Sequence, residues 1–272
     1  MARLEKGAAT LRARSGELAW RAAPFLSVAL LIAAWEGVSA SGAVTTFMLP
    51  GPAVVAGRVW VDAVSGDLWI NVGLTLYRAL AGFAIAALAG VALGFAMARN
   101  RLAHWFFDPI ISAGFPMPKI AFLPIVILWL GLFDVSKIVM VSLDAVFPVV
   151  TATLVGIAGV ERELLWSARN MGAKEREVLW QIVLPAALPQ IMTGLQVALP
   201  IALIVAVVTE MVMGGYGLGA ATMTAWRFAN SAGVFAGIVE IAAVGFVVVK
   251  GMAMLRRRLL LWHPEALEPS TV

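Results

Sequence analysis

The sequence predicts an all-α membrane protein of about six transmembrane helices. Three observations carry that expectation. Of the 272 residues, 61% are hydrophobic and only 13% are charged. The mean hydropathy is +0.92. The apolar residues also gather into runs of about 20, the length a helix needs to cross a bilayer. A soluble domain is about half apolar and about a quarter charged, so lipid must solvate much of this surface. Six spans consume roughly 120 residues, which leaves loops and tails but no sizeable soluble domain. Disorder, a coiled coil and a secreted disulfide scaffold are excluded. With no cysteine, the chain has no disulfide, thiolate metal site or thiol nucleophile. His104 and His263 are its only histidines, too few for a histidine-rich metal cluster. The net charge of +4 fits basic residues collected in cytoplasmic loops better than a nucleic-acid partner.

The first 21 residues are polar and basic, with Arg3, Lys6, Arg12, Arg14 and Arg21. The apolar run at about 22–40 is read as a retained first span. Val38-Ser39-Ala40 is a passable cleavage site for a signal peptide, but the basic region is long and Glu36 interrupts the run. Residues 41–70, with Pro50-Gly51-Pro52, Arg58, Asp62 and Asp67, read as a loop with a short surface helix. A second span is expected from about Asn71 to Ala98. Its Gly82, Gly90 and Gly94 give the small-residue spacing that lets helix backbones approach in lipid.

The third stretch, about Phe106 to Leu132, contains Pro109, Pro116, Pro118 and Pro124. Proline removes a backbone donor and clashes with the preceding turn, and lipid does not tolerate unpaired backbone groups. A kinked or broken helix packed against protein follows. Asp134 and Lys137 mark a tight turn before a fourth span from about Ile138 to Ile157. A charged segment at about 159–181 separates it from a fifth span at about Pro189 to Met213. A glycine-rich loop through Gly214, Gly215, Gly217 and Gly219 leads to Trp226, Arg227 and Asn230. A sixth span runs from about Ser231 to Met254, and Arg256, Arg257 and Arg258 begin a polar tail.

Six spans place about fifteen of the 20 Lys and Arg residues on the side of the termini and about three on the other. By the positive-inside rule both termini and the 159–181 segment are cytoplasmic. The expected organisation is a cytoplasmic tail at 1–21, a first span and external loop at 22–70, a transmembrane transport domain at 71–254 with a coupling loop at 159–187, and a cytoplasmic tail at 255–272.

Catalytic chemistry is missing from the chain. No lysine follows a glycine, so a phosphate-cradling loop is absent. No serine is flanked by glycines two residues before and two after, so the nucleophile-elbow signature is absent as well. No catalytic residue, metal site or cofactor is expected.

The 159–187 loop carries the strongest signal. Leu164, Leu165, Ala168 and Met171 fall at helical spacing on one face. Gly172 follows where a left-handed helix terminator belongs. A second amphipathic helix starts near Ala173 with Val178, Leu179 and Ile182 as its apolar face, and Pro185 ends it and redirects the chain. Two short helices meeting at a bend make a shape another protein can grip; the other reading is a surface helix that touches only lipid headgroups.

This loop resembles the cytoplasmic EAA loop of ATP-binding-cassette (ABC) importer permeases. Gly172 stands for the family's glycine and Ile182-Val183-Leu184-Pro185 for its Ile-x-Leu-Pro ending. Trp166-Ser167-Ala168 replaces the usual Glu-Ala-Ala, so a role for the acidic residue does not transfer. The resemblance extends over about 70–262. It includes Gly73 to Arg78, the Pro116 to Pro124 segment followed by Leu130-Gly131, Thr209-Glu210 before Gly217-Leu218-Gly219, and the basic, tryptophan-closed stretch Arg256 to Trp262. It is most similar to the nitrate, sulfonate and taurine subgroup, which also includes permeases for vitamin-precursor pyrimidines.

The resemblance implies a type I ABC importer permease fold in a bacterial inner membrane, with a cytoplasmic coupling helix pair. Its implied partners are a second copy of the chain, a dimer of ATPase subunits, a soluble periplasmic or lipid-anchored substrate-binding protein, and the lipid bilayer. It further implies that Leu164, Ser167, Ala168, Met171, Gly172, Ala173, Glu175, Arg176, Val178, Ile182, Leu184 and Pro185 form the ATPase-coupling surface. Gly172 would fix the bend, and Ala168 and Ala173 would keep the contact close.

Buried ionisable groups are expensive in a membrane and usually pair or line a wet cavity. Arg78, Lys119, Asp144 and Glu210 are therefore candidates for the translocation pathway, with Lys119 or Arg78 drawing an anionic substrate. Structural pairing or snorkelling is the competing reading, and Glu36 and Glu240 also lie in or near spans. The alternative function is an ATPase-independent secondary transporter or channel that uses buried carboxylates such as Asp144, Glu210 and Glu240 as proton carriers.

Overall fold

A computed structural model describes residues 26–262; the expected N-terminal tail, His263 and the last residues of the C-terminal tail lie outside them. The described residues form helices and connecting turns. In chain order these are α1 (Leu26–Ala40), α2 (Pro52–Ser65), α3 (Asp67–Arg99), α4 (Arg101–Gly114), α5 (Leu123–Leu130), α6 (Asp134–Ala158), α7 (Arg162–Asn170), α8 (Glu175–Val178), α9 (Leu184–Met213), α10 (Leu218–Arg227) and α11 (Ser231–Leu259). A 3₁₀ turn, Lys119–Phe122, precedes α5, and a wide π turn, Leu179–Val183, joins α8 to α9.

Among the described residues, four helices are long and apolar enough to cross a membrane: α3, α6, the continuous α8–α9 unit (Glu175–Met213) and α11. The pair formed by α4 and Lys119–Leu130, bent by 94°, makes a fifth crossing if it is one span. The expected count of six is not reached among the described residues, in which α1 covers only Leu26–Ala40, short of the length of a crossing.

The core is α3, α6 and α9. Its packing is set by glycines at which a side chain has no room. A Cβ on Gly82 would lie 2.5 Å from Val141, one on Gly90 2.7 Å from Val149, and one on Gly94 2.7 Å from Thr153. The partners advance together along both helices, so α3 and α6 run parallel. Gly194 packs on Ala152 and Gly156 on Gln190, so α9 runs antiparallel to α6. Close backbone approach through small residues is how helices gain van der Waals contact when lipid supplies no hydrophobic drive. Met140, Val141, Ala145, Val149, Ala198, Ala202 and Ala206 fill the seam.

Parallel neighbours require the chain to travel back between them, and residues 100–133 do so. The break falls at Phe115 to Pro118, where the prolines deny the helix its donors. The broken helix is as expected, and its second arm packs on the bundle through Leu123 and Val126, but its first arm does not: α4 has no buried residue. It lies on the outside of the chain, where Leu102, Trp105 and Phe106 are exposed.

Two boundaries fall earlier than hydropathy suggested. The second span begins at Asp67 rather than Asn71, and the fourth at Asp134 rather than Ile138. Both start on an aspartate, which is stabilised at a helix N-terminus by the backbone dipole. The glycine-rich loop after α9 is largely a helix, α10, with Leu218, Gly219 and Ala220 buried. At the far end, Arg256 bonds Gln196 at 2.6 Å. The end of α11 therefore lies beside the early part of α9, at the same end of the bundle as α7 and α8.

Candidate functional site

The helical bend at residues 170–175 starts from local backbone chemistry and is braced by side chains. α7 closes with the Ala173 N–H donating to the Ala168 carbonyl at 3.1 Å and the Gly172 N–H donating to Arg169 at 3.0 Å. This six-to-one and five-to-two pair is a Schellman cap. It requires a left-handed residue between its two bonds, and Gly172 supplies it with φ +86°. Lys174 then opens α8, its N–H donating to the Glu177 carboxylate at 2.8 Å. Arg169 grips Glu175 across the bend with bonds of 2.9 and 3.3 Å, and Arg99 lies 3.8 Å from the same carboxylate. The bend is thus tied to the end of α3.

Its inner face is anchored to the bundle. Ala168, Val178 and Val183 are buried with Ile157, Ala187 and Ile191, and Leu165, Ala173, Leu179, Ile182 and Leu184 pack around them. Leu164, Ser167, Met171, Gly172, Glu175, Arg176 and Pro185 are exposed. The expected apolar face of Leu164, Leu165, Ala168 and Met171 is therefore divided. Leu165 and Ala168 turn inward, Leu164 faces out, and Met171 lies beyond the last turn of α7 with 80% of its surface free.

Pro185 does not end the second helix. Glu175 to Met213 is one continuous helical unit. The π turn allows it, since the Leu184 N–H bonds five residues back to Leu179. This wider turn leads into a helix with proline in its first positions, where the missing donor is tolerated.

The opposite end of the bundle holds a buried ionic network. Arg78 Nη1 donates to Glu210 Oε1 and to the Tyr216 carbonyl, each at 2.6 Å. Its Nε and Nη2 both lie 2.8 Å from Asp134 Oδ1. Glu210, fully buried, also takes the Thr75 hydroxyl and the Gly219 N–H. Thr75 accepts from the Leu218 N–H at 2.9 Å, and Lys137 donates to the Gly214 carbonyl at 2.9 Å. Each charge has an opposite charge or a backbone dipole beside it, the condition under which a membrane interior tolerates it. Thr75, Asp134 and Lys137 were not singled out as network members by sequence. Asp134 and Lys137 read as a turn because they begin a helix.

Lys119 and Asp144 form a second, separate pair. The ammonium lies 3.1 Å from Asp144 Oδ1, donates to the Phe115 carbonyl at 2.8 Å and sits 4.5 Å from the centre of the Phe147 ring. Lys119 is at the break between α4 and α5, and Asp144 is near the middle of α6. Of the four candidate pathway residues, then, Arg78 and Glu210 meet each other at one end of the bundle. Lys119 and Asp144 meet at mid-height, and the Asp144 side chain keeps 25% of its surface open. Among the described residues no group of histidines or carboxylates has the arrangement of a metal site.

Comparison with known proteins agrees with this architecture. Residues 82–261 match the family described as binding-protein-dependent transport system inner membrane component. The chain is 32% identical over 244 residues to the taurine transport system permease protein TauC of Escherichia coli, spanning 88% of this chain and 89% of that one. It is 34% identical over 235 residues to a putative aliphatic sulfonates transport permease protein, SsuC, of Bacillus subtilis, spanning 86% and 85%. Among solved structures, an inward-facing form of the MetNI methionine ABC transporter superposes with a TM-score of 0.59. The sequence identity is 16%, covering 72% of this chain and 95% of that chain.

Proposed function

Because the chain belongs to the binding-protein-dependent transport system inner membrane components, we propose that it carries a small sulfonate across the membrane and takes its drive through the bend at Gly172. Membership makes it a multi-pass inner-membrane permease of an ABC importer. It works with an ATPase subunit and a substrate-binding protein, and ATP hydrolysis belongs to the ATPase. An ATPase-independent carrier is thereby set aside.

The observation that carries the coupling role is the capped bend, with one face buried in its own bundle and the other exposed. Leu164, Ser167, Met171, Glu175 and Arg176 present the outer face to the ATPase. Val178, Ile182, Leu184 and Pro185 join the bend to α9 without a flexible hinge, so a push on the bend moves α9 as a rod. A two-state ATPase that holds this handle differently in its two states biases the permease between two states of its own. Two copies of the chain enclose the pathway, and the exposed apolar surface of α4 and α5 faces the second copy or lipid. The end bearing the bend is cytoplasmic, as are both termini. That orientation is supported by the cations Arg99, Arg101, Arg162, Arg169, Lys174, Arg176 and Arg256 to Arg258 at one end of the bundle.

The sulfonate assignment rests on the two relatives named for taurine and aliphatic sulfonates. Lys119 is the cation placed to meet such an anion: its bond to the part-open Asp144 can be exchanged for one to a sulfonate oxygen. Arg78 and Glu210 hold the outer end of the pathway in shape.

The test is uptake by the complete complex in proteoliposomes. Leucine at a left-handed position costs roughly 1–2 kcal/mol, whereas asparagine tolerates it. No atom would crowd a Cβ at residue 172, so strain alone separates the two variants. Gly172→Leu is expected to hydrolyse ATP without matching uptake, or to fail to assemble, and Gly172→Asn to transport. Normal uptake by Gly172→Leu at normal assembly refutes the coupling role.

A further inference from the structure

At the end of the bundle away from the bend, α2, α3, α10 and α11 surround a cavity of about 340 Å³, within the size range of small-ligand sites. Its chemistry is not that of an anion site. Asp62, Asp67 and Glu240 line it with one cation, Arg58. That cation is already committed, since Arg58 holds Asp62 through Nε at 2.9 Å and Nη2 at 2.8 Å. Glu240 is only 8% exposed, and its Oε1 has no hydrogen-bond partner among the described residues. It stands in the tenth position of α11, about 13 Å along the helix from its start. A carboxylate that deep needs a counter-charge or a donor; no donor reaches its Oε1 among the described residues, and Arg58, the cation lining the cavity, is shared with Asp62. Tyr216 and Phe228 line the same cavity and are 71% and 80% exposed. Aromatic rings bordering a cavity with an unpartnered carboxylate are a pattern that receives an organic cation.

We propose that this cavity is a binding site for a small organic ammonium ion, seated on the Glu240 carboxylate and bordered by Tyr216 and Phe228. The site is distinct from the Lys119–Asp144 pair and lies apart from the bend. Its occupation is independent of the sulfonate and coupling assignments, and its test reads binding rather than transport.

The experiment uses the permease–ATPase complex in lipid nanodiscs and ligand-observed saturation-transfer NMR. Ethylammonium and tetramethylammonium are the probes, and ethanesulfonate is the anionic control. Saturable binding of at least one cation is expected, with no displacement by ethanesulfonate. Glu240→Gln keeps the shape and removes the charge, and should weaken binding by at least about tenfold. Tyr216→Ala changes an exposed ring without touching the fold, and should weaken tetramethylammonium by about threefold or more. Lys119→Met should leave both cations unaffected. Absence of saturable cation binding overturns the proposal. So does equal binding by Glu240→Gln, or, if that variant does not fold, by Tyr216→Ala.

Discussion

Arg78 and Glu210 show what a single pair contributes at the residue scale. Both are buried, and removing Arg78 leaves the Glu210 carboxylate without its cation, whereas Arg78 without Glu210 would still hold Asp134. Breaking a buried ion pair by deleting one partner costs about 3–5 kcal/mol. Arg78→Leu should therefore lower thermal stability in detergent sharply, and Arg78→Leu combined with Glu210→Leu should recover part of the loss. A single variant as stable as the native protein would contradict the network. Lys119→Met differs in kind. Asp144 retains partial exposure and can be solvated, so assembly should persist while sulfonate uptake falls; unchanged uptake kinetics would remove Lys119 from the pathway. All four residues stand out in the sequence as ionisable groups at costly depth. Their pairing does not, because Arg78 and Glu210 are 132 residues apart and only the packing of α3 on α6 and α9 brings them together.

At the scale of elements, the glycines of α3 decide how near α6 can come. Gly90 has Val149 within 2.8 Å of where a side chain would begin, and overpacking of this kind costs about 1–3 kcal/mol or more. Gly90→Leu should reduce the yield of folded permease, measured by its recovery as a monodisperse species; an undiminished yield would show that the two helices can separate. The spacing of these glycines was readable, since small residues at four- and eight-residue intervals occupy one helix face. The role of Pro185 was not. Proline usually ends or kinks a helix, and here the preceding π turn lets α8 continue into α9. Deleting Gln181 from that turn should rotate the bend by about 100° about the axis of α9. Uptake should be lost while the protein stays folded, whereas retained uptake would mean that the bend does not act through α9.

The whole molecule is a bundle with two chemically different ends. One carries the bend, Arg99 and the cations that close α11; the other carries the Arg78 network and the Glu240 cavity. Hydropathy marked the four long crossings and the broken pair, because each long apolar run must find lipid or core; the first expected span is not among the crossings of the described residues. Hydropathy could not show that α3 and α6 run parallel, nor that α4 lies on the outside, since these are properties of packing between segments. It also placed Asp67 and Asp134 in connections, because a charge at the start of a helix looks like a loop when only apolarity is counted. The bend was legible for the opposite reason. Its cap, its glycine and its amphipathic neighbours all fall within about fifteen consecutive residues. The inward turn of Leu165 and Ala168, away from Leu164 and Met171, appears only once the bundle is assembled.

As proposed, this bend is a cytoplasmic handle held by the ATPase. Because the chain has no cysteine and Met171 is exposed, Met171→Cys gives a single reporter at the bend. Its alkylation by a membrane-impermeant maleimide should occur only after the inner membrane is permeabilised, and bound ATPase should suppress it. Labelling of intact spheroplasts from outside, or labelling that is indifferent to the ATPase, would show that the bend is not that handle.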